Sequence, residues 1–378
     1  MYKWLYLDPY AEITFNHPKK RCLIFNTLDS KKYLFEGKEY EMIKRIFEND
    51  YSIKITDNEL KTNKLLINRI ENNFFGGVYS SDEKPLILYP IINIQRNLRK
   101  FKTISSRDQG TDILENLLEL SIHFKDNNCI LRIDRVIQLI RDAENSSLKK
   151  INIYIDSYFT HKTEIEELLS FLKTVRIKTY IEINVKDYYS FINNLPDIKS
   201  NEVFAIQVII VDFDFNEKVV EEKNVSLKFR ISNEEEYNFF TNKVSESTDY
   251  SFEVDFTKVN HSFLCENLFL NEEDIQDIKL TKQNYDANKT LNRNLFGKLV
   301  VKNNAVFSSE NNSKAIATLD NEINLKQIIF DSLCKSNDWF LIRKNVKPCK
   351  SCLYKNICPP ITENEILLKK YNLCTVLN

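Results

Sequence analysis

Strand-like and helical patterns alternate from about residue 84 to residue 290, and no other feature limits the fold so tightly. The strand-like runs are Pro85–Ile94, Leu117–Phe124, Ile151–Asp156, Ile177–Val185, Val203–Asp212, Val225–Ile231 and Tyr250–Phe256. Apolar residues at helical spacing fill most gaps between them, at Asp134–Glu144, Lys162–Val175, Tyr188–Asn194 and Glu234–Ser245, with a short stretch at Glu272–Asp277. Parallel neighbours need a crossover long enough to bring the chain back, so strand–helix–strand order implies βαβ units. The middle of the chain is therefore expected to be an α/β fold with a parallel sheet, closed or left open as a partial (β/α) TIM-type barrel. Two helix starts, Thr163-Glu164 and Asn233-Glu234, carry ordinary N-terminal capping residues.

The flanks differ from this pattern. Residues 1–82 show short alternating stretches at Lys3–Leu7, Glu12–Asn16, Arg21–Asn26 and Lys32–Glu36, joined by Asp8-Pro9 and His17-Pro18 turns. Helical patterns follow at Lys38–Glu48, with Tyr40, Ile43, Ile46 and Phe47 on one face, and at Thr62–Asn72, before Gly76-Gly77 breaks the pattern. Strands followed by small helices suit a winged-helix-like module, and suit equally an extension that only packs on the main domain. Residues 291–378 turn irregular and cysteine-rich, with a hairpin expected at Leu295–Val301 and Ala305–Ser308 and a helix at Leu325–Leu333. This gives three segments, 1–82, 83–290 and 291–378.

Composition excludes some partners. Fifty-three basic and 54 acidic residues leave a formal charge of −1, which argues against nucleic acid, whose phosphates call for a strongly positive face. No apolar run approaches the ~18 residues of a membrane span, so no membrane partner is expected. The start, Met1-Tyr2-Lys3-Trp4, lacks the basic-then-apolar form of a signal peptide. A cytoplasmic location is expected, where clustered thiols stay reduced and read as metal ligands.

Four of the eight cysteines lie in the last 30 residues, spaced Cys349-x2-Cys352-x5-Cys358-x15-Cys374. Thiols packed this densely are either cross-linked or bound to a metal whose bonds shape the loop. Spacing alone does not separate a tetrahedral zinc ion from an iron–sulfur cluster. Lys347, Lys350 and Lys355 lie close enough in sequence to offset the negative charge of such a centre. Cys22 and Cys265 are isolated and read as small hydrophobes. Histidines 17, 123, 161 and 261 show no i, i+4 metal pairing; His123 reads as a core or lumen residue, and His161 follows a strand end, where barrel chemistry resides. Asp212-Phe213-Asp214 and Glu234-Glu235-Glu236 read as solvated acids.

The tail from Trp339 through Pro348-Cys349-Lys350-Ser351-Cys352-Leu353-Tyr354-Lys355-Asn356-Ile357-Cys358-Pro359-Pro360 to Cys374 resembles the SPASM domain that follows the barrel of radical S-adenosylmethionine (SAM) peptide maturases. This tail looks most like that of the pseudo-radical-SAM proteins of Bacteroidetes peptide natural-product systems with Gly-Gly leaders, and the order of small N-terminal module, βα repeats and cysteine-rich tail also fits them. The resemblance implies a SPASM-like C-terminal domain holding one [4Fe–4S] cluster on Cys349, Cys352, Cys358 and Cys374, with zinc as the alternative. A further ligand of that family falls on Thr362, and its upstream Gly-x4-Cys falls near Asn304 and Ser309, so a second cluster is not expected. Cys334 alone cannot hold one.

The same resemblance calls for C-x3-C-x2-C after the first barrel strand. Counting from Cys129, the two remaining places are Ile133 and Val136, and aliphatic side chains donate nothing to iron. The family's Gly-Gly-Glu motif falls on Asp156-Ser157-Tyr158, and no glycine occurs between residues 111 and 296, so no glycine cradle for SAM is expected. The resemblance therefore implies a catalytically inactive accessory in ribosomal peptide maturation. Its partners would be the precursor leader, an active radical-SAM maturase, or both. The N-terminal module would act as a leader-recognition element that adds the leader as a strand, at Lys32, Tyr33, Leu34 and Phe35, with helix Thr62–Asn72 as the other wall. The alternatives are a redox or electron-transfer protein using the surviving cluster, and a zinc-stabilised binding protein.

Overall fold

A computed structural model describes residues 2–88, 111–125, 131–144, 146–211, 213, 219, 225–244, 248–257, 259–320, 324–334 and 338–376. Cys129, Asp212, Asp214 and most of the run expected at Pro85–Ile94 lie outside these residues.

The N-terminal module holds two antiparallel three-stranded sheets. One has the order β2 (Ala11–Asn16), β3 (Arg21–Asn26), β4 (Lys32–Glu36); the other places β1 (Tyr2–Leu7) between β5 (Ser52–Ile55) and β6 (Gly76–Ser81). Helix α1 (Gly37–Glu48) buries Tyr40, Ile43 and Ile46 between them, while Phe47 is partly exposed. The helix expected at Thr62–Asn72 is α3 (Lys64–Asn72), preceded by a short helix that was not expected, α2 (Asp57–Thr62), with a Thr56/Glu59 capping box. Gly76-Gly77 does not end the module but opens β6, because a Cβ on Gly76 would lie 2.0 Å from the Tyr6 carbonyl oxygen. Only glycine allows that approach.

Strand β3 is buried on both faces. Cys22 and Ile24 join the module's own core with Leu5, Phe35 and Ile70. Leu23 and Phe25 point the other way, into a second core with Ile275, Tyr285, Cys352, Leu353, Tyr354 and Ile357. Alternating side chains thus join the module to the cysteine-bearing tail.

The middle of the chain is a mixed α/β unit built on a mainly parallel nine-stranded sheet. Strands β7 (Glu119–Phe124), β8 (Lys150–Ile155), β9 (Thr179–Asn184), β10 (Phe204–Ile210), β11 (Val225–Ile231) and β12 (Tyr250–Val254) lie side by side in chain order, all parallel. Helices α4 (Ile133–Asp142), α5 (Lys162–Val175), α6 (Val185–Asn194) and α7 (Glu234–Lys243) supply four of the crossovers. Sequential strands with crossovers of one hand bring helices to one face. Ile151, Ile153, Ile181, Val208, Leu227 and Phe229 pack there with Val136, Leu168 and Phe191 in one core. Asn233 caps α7 through Glu236 N as expected, whereas Thr163 does not cap α5. A 3-10 turn, Phe159–His161, runs directly into that helix from Lys162.

Beyond β12 lie α8 (His261–Asn267), α9 (Glu272–Asp277) and α10 (Lys282–Asn288), then β13 (Lys298–Lys302), β14 (Ala305–Phe307), the short β15 (Ala317–Thr318), α11 (Leu325–Cys334) and α12 (Glu363–Leu368). Residues beyond 290 are not set apart from the sheet: β13 pairs in parallel with β7, and β14 and β15 extend it. Gly297 makes this junction at φ +77°, where a Cβ would meet the Asn116 carbonyl oxygen at 2.7 Å, while its own carbonyl accepts from Leu118 N and Glu119 N. Trp339, fully buried, donates to the Lys298 carbonyl at 2.9 Å. Among the described residues, no helix is long and apolar enough to cross a membrane.

Candidate metal centre

The cysteine run folds as a 3-10 turn, Cys349–Ser351, followed by tight loops that return Cys358 N to the Tyr354 carbonyl. Cys374 arrives from the far end of the tail, held by an isolated parallel bridge to Leu270. Cys349, Cys352, Cys358 and Cys374 are all free, and all four line one small cavity with Arg343 and Lys355. Chain separation of 25 residues between the first and last is thus closed by the fold.

Burial dominates the chemistry of these thiols. It pushes Cys358 up to about 12 and raises Cys349 and Cys352 above the ordinary thiol value, with Arg343 pulling Cys349 and Cys358 partly back. At neutral pH these groups are therefore neutral thiols, and binding a metal would release their protons. Cys349 Sγ donates to the Tyr371 carbonyl at 3.0 Å, and Tyr354 N donates to Cys352 Sγ at 3.4 Å. Backbone donors of this kind also stabilise a ligating thiolate.

Arg343 is the group that sequence reasoning missed. Its guanidinium forks onto Glu365 at 3.0 and 3.2 Å, donates to the Tyr371 carbonyl at 2.8 Å, and reaches within 3.8 Å of Cys349 Sγ. Burial opposes its charge, yet Glu365 beside it, with smaller contributions from Cys358 and Cys349, holds its pKa above the ordinary arginine value. Of the three lysines expected to offset the centre's charge, Lys355 lines the cavity, while Lys347 and Lys350 are exposed.

The donor set fits either a tetrahedral ion or a cluster. The cavity that the four cysteines share with Arg343 and Lys355 has about 20 Å³, enough for a single water-sized body. Among the described residues, no three His, Cys, Asp or Glu side chains are grouped so as to hold a metal ion. A single zinc would require sulfurs ~3.8 Å apart, from Zn–S bonds of 2.3 Å in a tetrahedron. The thiols would have to rearrange to hold either an ion or a cluster.

Positions where the resemblance calls for other ligands do structural work. Thr362 caps α12 by a capping box with Glu365. Ser309 hydrogen-bonds Asp338 at 2.5 Å, Asn304 sits in the β13–β14 turn at φ +55°, and Cys334, at the end of α11, is exposed. Ile133 and Val136 are buried on α4 in the main core. Tyr158 is fully buried, its N–H donating to Asp187 at 3.0 Å and its hydroxyl to Glu166 at 2.9 Å. His161 is buried with Nε2 2.6 Å from the Lys125 carbonyl, and His123 stacks on Tyr154 with Nε2 3.0 Å from Glu310. Cys22 is fully buried; Cys265 is partly exposed, 3.4 Å from His261 Nδ1.

The residues expected to take a peptide are divided by the fold. Phe35 is wholly buried in the module core, and Leu34 packs with the Leu23–Tyr285 cluster. Lys32 donates to the Gln276 and Ile278 carbonyls, both at 2.6 Å. Tyr33 is half-buried, with the Arg69 guanidinium of α3 5.3 Å from its ring centre. Strand β4 pairs only with β3, so its outer backbone edge lies at the margin of the sheet. No family model matches the chain, and no curated protein matches it.

Proposed function

We propose that this chain is a catalytically inactive, radical-SAM-like accessory of ribosomal peptide maturation, working in the cytoplasm. On this reading the parallel sheet is a partial (β/α) barrel and the tail a SPASM-like domain. The observation that carries it is the convergence of Cys349, Cys352, Cys358 and Cys374 on one cavity, in a chain whose counterpart positions for a radical-generating cluster are the core residues Ile133 and Val136. The four thiols would hold one [4Fe–4S] cluster, which supplies a fixed, redox-active anchor for the tail. The N-terminal module would take a precursor leader as an added strand along the edge of β4, with α3 opposite. Support comes from the one-sided pairing of β4 and from Arg69 set across Tyr33. Of the four named positions, the backbone and Tyr33 remain for the leader; Lys32, Leu34 and Phe35 serve the fold. An active radical-SAM maturase would be the second partner.

Zinc is the second reading, favoured by the small size, about 20 Å³, of the cavity that the four cysteines share. Anaerobic purification with iron, sulfide and zinc analysis separates the two. The accessory role is tested with the leader of the precursor encoded beside this gene. That peptide should bind the full chain, and Arg69→Glu with Tyr33→Lys should abolish binding. Incubation with SAM and reductant should give no 5′-deoxyadenosine, and its appearance would overturn the proposal.

A further inference from the structure

A parallel sheet is normally apolar on both faces, since helices or a filled barrel cover each. Here only one face is apolar. On the other, the register aligns His123, Tyr154, Glu182, Gln207 and Ser226 in one row across five strands. The next row toward the strand starts reads Ser121, Asn152, Tyr180 and Ala205. Above these rows lies a cavity of about 520 Å³, within the range of small-molecule sites. It is bordered by Lys150, Tyr180, Val225 and Asp249, all within one residue of the starts of their strands. That is the end opposite the strand C-termini, where barrel enzymes place their chemistry.

The hydrogen-bonding state of the lining defines what fits. Asn152 spends its amide N–H on Glu119 at 2.6 Å and Ser121 at 3.4 Å. Gln207 spends its own on Ser226 at 3.1 Å and Ser251 at 3.5 Å. Both amides therefore have their carbonyl oxygens left as acceptors. Ser226, accepting from Gln207, keeps its hydroxyl hydrogen, and the Tyr154 hydroxyl has no hydrogen-bond partner among the described residues. Acceptors thus sit beside donors at strand spacing, across ~14 Å from Tyr154 to Ser226 at ~4.8 Å per strand. Apart from Asp249, the lining charges are already matched: Glu182 pairs with Lys228, and Lys150 lies 3.9 Å from Glu119. An ionic ligand would have to break such a pair. Asp249 is exposed at the mouth.

We infer that this cavity binds a neutral polyhydroxylated ring, a sugar or cyclitol. Each hydroxyl of such a ligand both donates and accepts, so neighbouring hydroxyls can bridge an amide oxygen and a serine or tyrosine hydroxyl. Tyr180, 42% exposed at the border, carries the Lys150 ammonium 4.9 Å from its ring centre over one face, so its other face is the aromatic surface offered to the ring's C–H groups. This inference rests on the sheet alone and is independent of the metal and leader readings.

The test is saturation-transfer NMR on the full chain with maltose and with myo-inositol as probes, and arginine and citrate as charged controls. At least one neutral probe should receive saturation and the controls should not. Tyr180→Ala should reduce transfer at least fivefold, as should Gln207→Leu, while Leu65→Ala on the distant α3 should leave it unchanged. Because Tyr180 is partly exposed, its variant should fold, and an unchanged far-UV circular dichroism melt checks this. No transfer from either probe, equal transfer to the charged controls, or full transfer in a folded Tyr180→Ala protein would overturn the inference.

Discussion

The ion pair between Arg343 and Glu365 sets the sharpest energetic expectation. Glu365 is 1% exposed and Arg343 10%, and two hydrogen bonds of 3.0 and 3.2 Å join them. Removing one partner of such a pair leaves a buried charge without its counter-ion, which costs about 3–5 kcal/mol. Arg343→Met and Glu365→Leu should each fall in that range. Removing both eliminates the stranded charge. The double variant still loses the Glu365 bond to Thr362 N at 2.9 Å and the Arg343 bonds to the Tyr371 carbonyl at 2.8 Å and the Pro359 carbonyl at 2.5 Å, worth about 1 kcal/mol each. It should therefore be destabilised by about 3 kcal/mol, far less than the sum of the single changes, giving a coupling of several kcal/mol. Urea denaturation of the four proteins, metal-free and reduced so that ligation plays no part, closes the cycle. Single effects that add in the double variant to within ~0.5 kcal/mol would mark the two residues as independent and refute the argument.

Three further outcomes follow from other parts of the fold. Glu310 has a pKa near 2: burial works to raise it, but the hydrogen bond from His123 and the Lys298 ammonium at 2.6 Å outweigh burial. A depressed carboxylate stabilises above its unfolded value of about 4.5 and loses that stabilisation as pH falls toward 2. About 2 kcal/mol should therefore be gone by pH 3, a slope that Glu310→Gln should flatten in urea midpoints taken from pH 5 to 3. Gly297→Ala should cost about 2 kcal/mol or more through its left-handed backbone and the 2.7 Å clash with Asn116, read as a lowered melting temperature; an unchanged one would discount the junction. Cys358→Ser should cut bound metal per chain severalfold under anaerobic purification, whereas Cys265→Ser should leave it unaltered.

Most of the sheet was legible because its chemistry is local. Val225–Ile231 and Lys162–Val175 fall where alternation and helical spacing put them. Three strands were missed, all for identifiable reasons, β15 because it is only two residues long. Ser52–Ile55 is only four residues long, and Gly76-Gly77 looks like a breaker unless the nearby Tyr6 backbone is known. The four cysteines announced themselves by spacing, but Arg343 and Glu365 did not. A pair 22 residues apart in a loop-rich tail leaves no periodic trace. The same holds for Lys32, whose partners at Gln276 and Ile278 lie some 245 residues along the chain. Local pattern marked β4 as a strand, and only the tertiary fold decides which of its side chains are spent.

On the proposed reading of the sheet as a radical-SAM-like partial barrel, cysteines placed at Ile133 and Val136 test whether a cluster site could form there. Ile133 and Val136 lie three apart on α4, 5% and 0% exposed, and both face the main core. A cluster loop must turn its thiols outward into a shared space, whereas these positions turn theirs under the sheet. Ile133→Cys with Val136→Cys should therefore remove apolar volume without creating a site. The loss is about 1–2 kcal/mol at each position, from deleted methyl and methylene groups and the cavities they leave. Iron and sulfide added anaerobically to the double variant should give no more bound iron than the parent, while its urea midpoint falls. A rise in iron content together with recovered stability would mean that the helix start can rearrange into a ligand loop, and would refute the argument.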